Sequence, residues 1–160
     1  MYASESRLCP APLRSFLQRV GLAPHDLIAL LARIGVGGVF FQSGQTKLDG
    51  WQLAESTVYL FQTEYRLPLI DSALAAYLAA FCENVFSVLL ILGLASRLSA
   101  GVLLAMAVVI QVFVYPGAWP THATWAAALW VVIAGGPGRV ALDAAIARVL
   151  KLSSRPAKPR

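Results

Sequence analysis

The amino-acid sequence predicts an all-α membrane protein: a four-transmembrane-helix bundle with short amphipathic surface helices. Composition is the first observation behind this prediction. Of 160 residues, 58% are hydrophobic and only 13% are charged, which lies outside the usual range of soluble domains. The second observation is that the apolar residues are gathered into long blocks with short polar links between them, a segregation typical of membrane spans.

Four apolar blocks provide the predicted spans, at about residues 27–45, 72–94, 98–115 and 121–134. The links between the last three blocks are short, which predicts antiparallel neighbours in the bundle. The fourth block is the shortest. We expect Trp119 to anchor it at the interface and the bilayer to thin around it.

Three further segments have apolar residues at helical spacing and predict amphipathic surface helices. They cover residues 12–22, 51–65 and 140–150. For the middle segment, a strand over residues 56–61 is the alternative, but an isolated strand would leave its edges unpaired. The chain is therefore divided into a cytoplasmic N-terminal segment (1–26), a transmembrane domain (27–147) and a basic cytoplasmic tail (148–160).

The distribution of basic residues predicts the orientation. Lys47 and Arg66 fall on one side of the predicted spans, and Arg33 lies within the first span. The other side carries ten basic residues, namely Arg7, Arg14, Arg19, Arg97, Arg139, Arg148, Lys151, Arg155, Lys158 and Arg160. The positive-inside bias then predicts that both termini are cytoplasmic and that the first span acts as its own insertion signal. Nucleic-acid binding is not indicated, because no surface of interleaved aromatic and basic residues is present.

Arg33 and Glu83 are the charged residues within the predicted spans, and such groups are expensive at membrane depth. Small residues accompany both of them at helical spacing, so we expect the first two spans to approach closely and pair the two charges. The pair has two interpretations. It fixes the packing register of the bundle, or Glu83 is a proton-transfer carboxylate whose protonation Arg33 controls.

A second group of polar side chains is expected near the outer membrane face, among aromatic rings. Its members are Gln45, Lys47, Gln111, Tyr115, His122 and Trp125. Such a group can hold a quinone head group, with His122 or Lys47 donating to a carbonyl oxygen. The alternative is an ordinary interfacial belt, in which Trp, Tyr and Lys are common.

The sequence argues against a metal centre. His25 and His122 are expected at opposite membrane faces, too far apart to share one ion. Cys9 and Cys82 are distant in sequence and form no CxxC motif, so they indicate no disulfide framework. No nucleophile triad, phosphate-binding loop or zinc spacing is present.

Over residues 27–147 the sequence resembles the DoxX family of four-helix membrane proteins. The resemblance rests on Arg33-Ile34-Gly35, Phe41, Gly44, Lys47-Leu48, Ala79-Ala80-Phe81-Cys82-Glu83, Leu92-Gly93-Leu94, Ser96-Arg97-Leu98, Thr121-His122, Gly136-Pro137-Gly138-Arg139 and Asp143. It implies a multi-pass protein of the bacterial inner membrane that is associated with redox systems. The polar signature of the family falls on Arg33, Lys47, Glu83, Arg97 and His122. Related proteins that act in disulfide or cofactor maturation use paired cysteines, which this chain lacks.

Two functional hypotheses follow. The first is a redox-associated accessory subunit that binds quinone. The second is a non-catalytic membrane anchor or scaffold for a partner protein, encoded nearby, that handles a metal or a peptide. A small transporter is less well supported, because no inverted repeat or broken span is evident. Catalysis, the identity of the partner and the oligomeric state stay open.

Overall fold

The computed structural model describes residues 10–19, 24–65, 67–68 and 70–153. Cys9, the predicted helix end at 20–22, Arg66 and the tail at 154–160 lie outside these residues. Within them the chain forms seven α-helices and one short hairpin. The helices are α1 (Ala11–Arg19), α2 (Pro24–Gln45), α3 (Glu55–Leu60), α4 (Ser72–Leu92), α5 (Ser96–Val109), α6 (Trp119–Gly135) and α7 (Leu142–Ser153), and the strands are β1 (Leu48–Asp49) and β2 (Gln52–Leu53).

Helices α2, α4, α5 and α6 pack as a four-helix bundle, in which α2 and α5 each contact both α4 and α6. The all-α prediction is therefore confirmed. One turn of π-helix, Ile110–Val114, extends α5, and a 3-10 turn, Pro116–Ala118, leads into α6. The core between the four helices consists of Val36, Phe40, Leu90, Ala100, Leu103, Ala107, Leu129 and Val132.

Three helical segments in the described part of the chain are long and apolar enough to cross a membrane: Pro24–Gln45, Ser72–Leu92 and Ser96–Val114. Helix α6 has 17 residues, or about 26 Å at 1.5 Å per residue, against a hydrocarbon core of about 30 Å. The bundle turns large apolar side chains outward, such as Leu31 and Phe81, which are 61% and 57% exposed. An apolar exterior of this kind is what a lipid environment requires.

Local capping residues set both ends of α4. The Asp71 carboxylate accepts hydrogen bonds from the backbone N–H groups of Ala73 and Leu74, which is a standard N-cap. At the other end Gly93 takes a left-handed φ of 74°, and Leu94 N–H donates to the Leu89 carbonyl. This C-terminal motif favours glycine, and it turns the chain directly into α5.

The connection between α2 and α4 differs from the prediction at its start. The predicted helix over 51–65 is present from Glu55 onward, as α3 and a π-helical turn at Phe61–Tyr65. Its first residues instead form a hairpin, with Asp49 paired to Gln52. The reason is the turn residue Gly50, whose φ of 60° suits a two-residue hairpin. The alternative strand over 56–61 does not form.

Helices α1 and α7 correspond to the amphipathic segments predicted at 12–22 and 140–150. In α1, the apolar Leu13 and Phe16 are 39% and 60% exposed. The predicted division of the chain at 26/27 falls inside α2, because Pro24 already begins that helix. The division at 147/148 likewise falls inside α7, which continues to Ser153.

Candidate ligand site at the Lys47 end of the bundle

Two glycines set the contact between the antiparallel helices α2 and α4. A Cβ atom on Gly44 would lie 3.0 Å from the Glu83 Cβ atom, and one on Gly37 would lie 3.3 Å from the Ser87 carbonyl oxygen. Since only glycine permits this approach, the register places Gly44 beside Glu83. At the opposite end of the bundle, the Arg33 guanidinium lies against Gly93. We call these two ends the Lys47 end and the Arg33 end.

Glu83 forms an ion pair with Lys47 at the Lys47 end. The Lys47 Nζ atom lies 2.6 Å from Glu83 Oε2, and the two side chains are 12% and 3% exposed. Lys47 Nζ also donates to the hydroxyl oxygen and the carbonyl oxygen of Ser43, at 3.1 and 3.3 Å. The ammonium group has three protons, so all of them have acceptors.

The hairpin and α3 hold Lys47 in this position. The Lys47 carbonyl accepts hydrogen bonds from the Ala54 backbone N–H at 3.0 Å and from the hydroxyl of the buried Thr57 at 3.2 Å. The following π-helical turn packs Phe61 against Ala75 and Ala76 of α4. The connection is therefore part of the site and orients its cation.

The predicted pairing of Arg33 with Glu83 is wrong. Arg33 lies beside Gly93, which is ten residues from Glu83 along α4 and thus about 15 Å away. Two side chains do not bridge that distance. The prediction failed because small residues at helical spacing indicate that two helices approach each other but not in which register. The register is set by the glycine contacts between α2 and α4.

Arg33 instead binds backbone carbonyls at its own end of the bundle. Its two terminal guanidinium nitrogens donate to the carbonyl oxygens of Pro137 and Val140, each at 2.8 Å, and one also reaches that of Ile91 at 3.4 Å. The side chain is only 2% exposed, and its Nε atom has no hydrogen-bond partner within the described residues. Arg33 thus attaches the segment that follows α6 to the bundle.

Asp143 completes the Arg33 end. Its carboxylate accepts hydrogen bonds from the backbone N–H groups of Ala95 and Ser96 at 2.8 and 2.9 Å, and from the Ser96 hydroxyl at 2.8 Å. Burial alone would raise the pKa of this carboxyl, but the hydrogen bonds and the charge of Arg33 together hold the pKa below its usual value. The carboxylate also holds Ala95 in a left-handed conformation with a φ of 47°.

A cavity of about 440 Å³ lies at the Lys47 end. Its walls are mostly apolar side chains of α2, α4 and α5, and its polar groups are Ser43, Lys47, Tyr65, Cys82, Glu83, Tyr115, His122 and Trp125. Leu78 of α4 and Val109 of α5 also line the cavity and are 47% and 38% exposed. Part of the cavity rim is therefore formed by apolar side chains on the outside of α4 and α5.

Four of the six predicted pocket residues line this cavity: Lys47, Tyr115, His122 and Trp125. Gln111 lies behind His122 and lines a second, smaller cavity of about 280 Å³ between α5 and α6. Gln45 is not part of either lining. It is exposed on α2, and its amide donates to the Asn84 side chain.

Ser43, Tyr65 and Cys82 line the cavity although sequence reasoning did not place them there. Ser43 is one helical turn before Lys47, a spacing that in principle indicated contact. The Tyr65 and Tyr115 hydroxyls lie 3.3 Å apart with their rings edge to face. Burial, followed by this hydrogen bond, raises the pKa of Tyr65 above its usual value, so the phenol is neutral at physiological pH.

The described residues contain no group of three or more His, Cys, Asp and Glu side chains that could hold a metal ion. His25 contacts Gly135 at one end of α6, while His122 lies thirteen residues away near its other end. At about 1.5 Å per residue the two imidazoles are about 20 Å apart along the bundle. Cys82 is a free thiol, and Cys9 lies outside the described residues.

The fold and this site define an integral membrane protein: a helical bundle with an apolar exterior and a ligand-sized cavity whose polar groups converge at one end. The sequence model of the DoxX family matches residues 28–116, more than half of the 160-residue chain. The chain therefore belongs to the DoxX family. No curated protein and no solved structure matches it significantly.

Proposed function

We propose that this DoxX protein is a redox-associated accessory subunit of the bacterial inner membrane that binds the head group of a quinone. The observation that carries the proposal is the cavity between α4 and α5. Quinones are amphiphiles with a polar, planar dione ring on an isoprenoid tail. A cavity with an apolar rim on the outside of the bundle admits the ring while the tail stays in lipid.

The residues in the cavity fit such a ring. A volume of about 440 Å³ lies within the range of small-molecule sites, which combine apolar walls with a few polar groups. Trp125 packs edge to face against the buried Phe40, with ring centroids 5.4 Å apart, and offers an aromatic wall. The Lys47–Glu83 pair and His122 supply polar atoms in the cavity lining.

The proposed topology has four spans and cytoplasmic termini. Two features support α6 as the fourth span: it packs along both α2 and α5, and Trp119 at its start is suited to an interface. The Lys47 end with its hairpin then faces the periplasm. In a Cys9- and Cys82-free background, a membrane-impermeant maleimide should label Trp51→Cys in intact cells and Leu150→Cys only after permeabilisation. Equal labelling of both positions in intact cells contradicts this topology.

Quinone binding is tested by tryptophan fluorescence on the detergent-solubilised protein. A benzoquinone with a decyl tail should quench the fluorescence saturably, because Trp125 lines the cavity. Trp125→Phe should remove the saturable component. Trp130→Phe is the matched control, because Trp130 lies on the same helix and is 61% exposed on the outside of the bundle.

Partitioning of the quinone into the micelle quenches exposed tryptophans without saturation, so the two contributions separate in the titration. A linear response in the unaltered protein, with no saturable part at any concentration, refutes the proposal. If the saturable component survives Trp125→Phe and disappears in Trp130→Phe, the quinone binds on the exterior of α6. This result also refutes the proposal.

A membrane anchor for a partner protein is the second candidate, favoured by Trp51. This side chain stands at the hairpin tip and is 100% exposed, where a partner can contact it, and Trp is enriched at protein interfaces. The anchor hypothesis predicts that Trp51→Ser abolishes copurification of a partner crosslinked in native membranes, while Glu83→Gln and His122→Ala leave it intact. The quinone hypothesis predicts that Trp51→Ser leaves quinone binding intact, whereas Glu83→Gln and His122→Ala abolish it.

A further inference from the structure

Gln111 determines which nitrogen of His122 carries a proton. The Gln111 Nε2 atom lies 2.8 Å from the Pro116 carbonyl oxygen, and only the amide NH₂ group can donate to a carbonyl. Gln111 Oε1 therefore faces His122, 2.7 Å from its Nδ1 atom. An amide oxygen accepts only, so Nδ1 must hold the proton of this hydrogen bond.

The opposite edge of the His122 ring is left to the larger cavity. His122 lines both cavities, whereas Gln111 lines only the smaller one, so the ring separates the two with Nδ1 toward Gln111. Nε2 has no hydrogen-bond partner among the described residues. In a neutral imidazole with the proton on Nδ1, Nε2 is a hydrogen-bond acceptor.

Of the charged groups in the cavity lining, only Glu83 has hydrogen-bonding capacity left for a ligand, and it is an acceptor. All three protons of Lys47 are engaged by Glu83 and Ser43. A carboxylate has about four lone-pair sites, and Lys47 occupies one of those on Glu83. Glu83 and His122 thus offer lone pairs, while the charged donor offers no free proton.

A quinone and its reduced form differ in this respect. Quinone carbonyls only accept hydrogen bonds. A carbonyl that faces Glu83 or His122 therefore makes no hydrogen bond there, because both partners are acceptors. The hydroxyls of a hydroquinone both donate and accept. The remaining donors of the cavity lining serve either form and do not discriminate. They are the Ser43 hydroxyl, the Cys82 thiol, the Trp125 indole and one proton of the Tyr65–Tyr115 pair.

We infer that the cavity selects the reduced, hydroxyl-bearing form of its aromatic ligand, and that Gln111 is the positioning residue that sets this preference through the His122 tautomer. The inference rests on the proposed function for the location of the head group. It goes beyond that function by assigning the redox state that binds, and by assigning a role to a residue outside the cavity.

The tautomer is measured directly by nitrogen NMR on protein labelled with ¹⁵N-histidine. The chain has two histidines, and a His25→Gln variant leaves His122 as the only one. The spectrum should show a protonated Nδ1 and an unprotonated Nε2, and Gln111→Met should produce a mixture of tautomers. A protonated Nε2 with a bare Nδ1 in the unaltered protein overturns the inference, whatever binds in the cavity.

The preference is measured by calorimetry under argon with decyl-benzoquinone and the corresponding hydroquinone. We expect the hydroquinone to bind at least tenfold more tightly. Gln111→Met should bring the two affinities within about threefold of each other. The variant should still show a cooperative thermal unfolding transition. Gln45→Met is the matched control, since Gln45 is a glutamine on a neighbouring helix outside the cavity lining, and it should keep the tenfold ratio.

The outcomes separate the two proposals. If neither form binds, the proposed function fails. If both forms bind with equal affinity in the unaltered protein, or the quinone binds more tightly, the quinone site stands and the redox preference fails. If the ratio is unchanged in Gln111→Met while the hydroquinone is preferred, Gln111 has no positioning role.

Discussion

Lys47 and Glu83 meet at 2.6 Å although Lys47 lies beyond the end of α2 and Glu83 lies inside α4. Two local features bring them together. Gly44 allows α4 to approach α2 at the level of Glu83, and the hairpin holds the Lys47 carbonyl through Ala54. The result is a buried charge pair on the wall of the cavity.

Removing one member of this pair should destabilise the protein strongly. Lys47→Met leaves the Glu83 carboxylate buried without its counter-charge, which typically costs about 3–5 kcal/mol. Thermal unfolding in detergent should show a much lower midpoint for this variant. The double variant Lys47→Met/Glu83→Met is the control, because replacing both charges by apolar groups is often close to neutral. A double variant as unstable as the single one contradicts this account.

Substituting Gly44 should loosen the contact between α2 and α4. A Cβ atom there would lie 3.0 Å from the Glu83 Cβ atom and within 3 Å of the Asn84 side chain, and overpacking of this kind costs about 1–3 kcal/mol. Gly44→Ala should therefore lower the midpoint of thermal unfolding. Gly38→Ala, on the same helix with nothing within 4 Å of the new Cβ atom, should not lower it. Equal effects of both would mean that helix propensity, and not the interhelical contact, dominates.

Arg33 should hold the segment after α6 against the bundle. Arg33→Met removes the charged donors of the Pro137 and Val140 carbonyls, and a hydrogen bond to a charged group typically contributes about 1.5–3 kcal/mol. Limited proteolysis should then cut between residues 136 and 141, where the unaltered protein resists. Arg97→Met replaces an exposed arginine at the same end of the bundle and should keep the native resistance.

The stabilising effect of Asp143 should depend on pH. Its pKa is held below the ordinary value of 3.8, so its contribution to stability is fully present above that value and is lost as pH falls through the lower, folded-state pKa. Asp143→Asn should therefore lower the thermal midpoint at pH 7, and the difference from the unaltered protein should shrink at pH 3. A difference that stays constant between these pH values shows that the carboxylate charge is not responsible.

Sequence alone predicted the helical content and most helix limits of this protein, because those depend on local properties. Apolar blocks define α2, α4 and α5. Asp71 and Gly93 set the start and the end of α4 through hydrogen bonds to neighbouring residues. The hairpin was missed although its signal, Gly50 at the first position of a two-residue turn, is equally local. The helical periodicity of the following residues outweighed it in the prediction.

Only the tertiary structure decided which charges meet. Arg33, Lys47, Glu83 and His122 were all recognisable in the sequence as polar groups in an apolar setting. Lys47 and Glu83 form an ion pair at one end of the bundle, and Arg33 binds backbone carbonyls at the other end. This arrangement depends on the register of α2 against α4. That register is set by contacts across the interface, above all the close approach at Gly37 and Gly44, and residue spacing within a single helix carries no information about it.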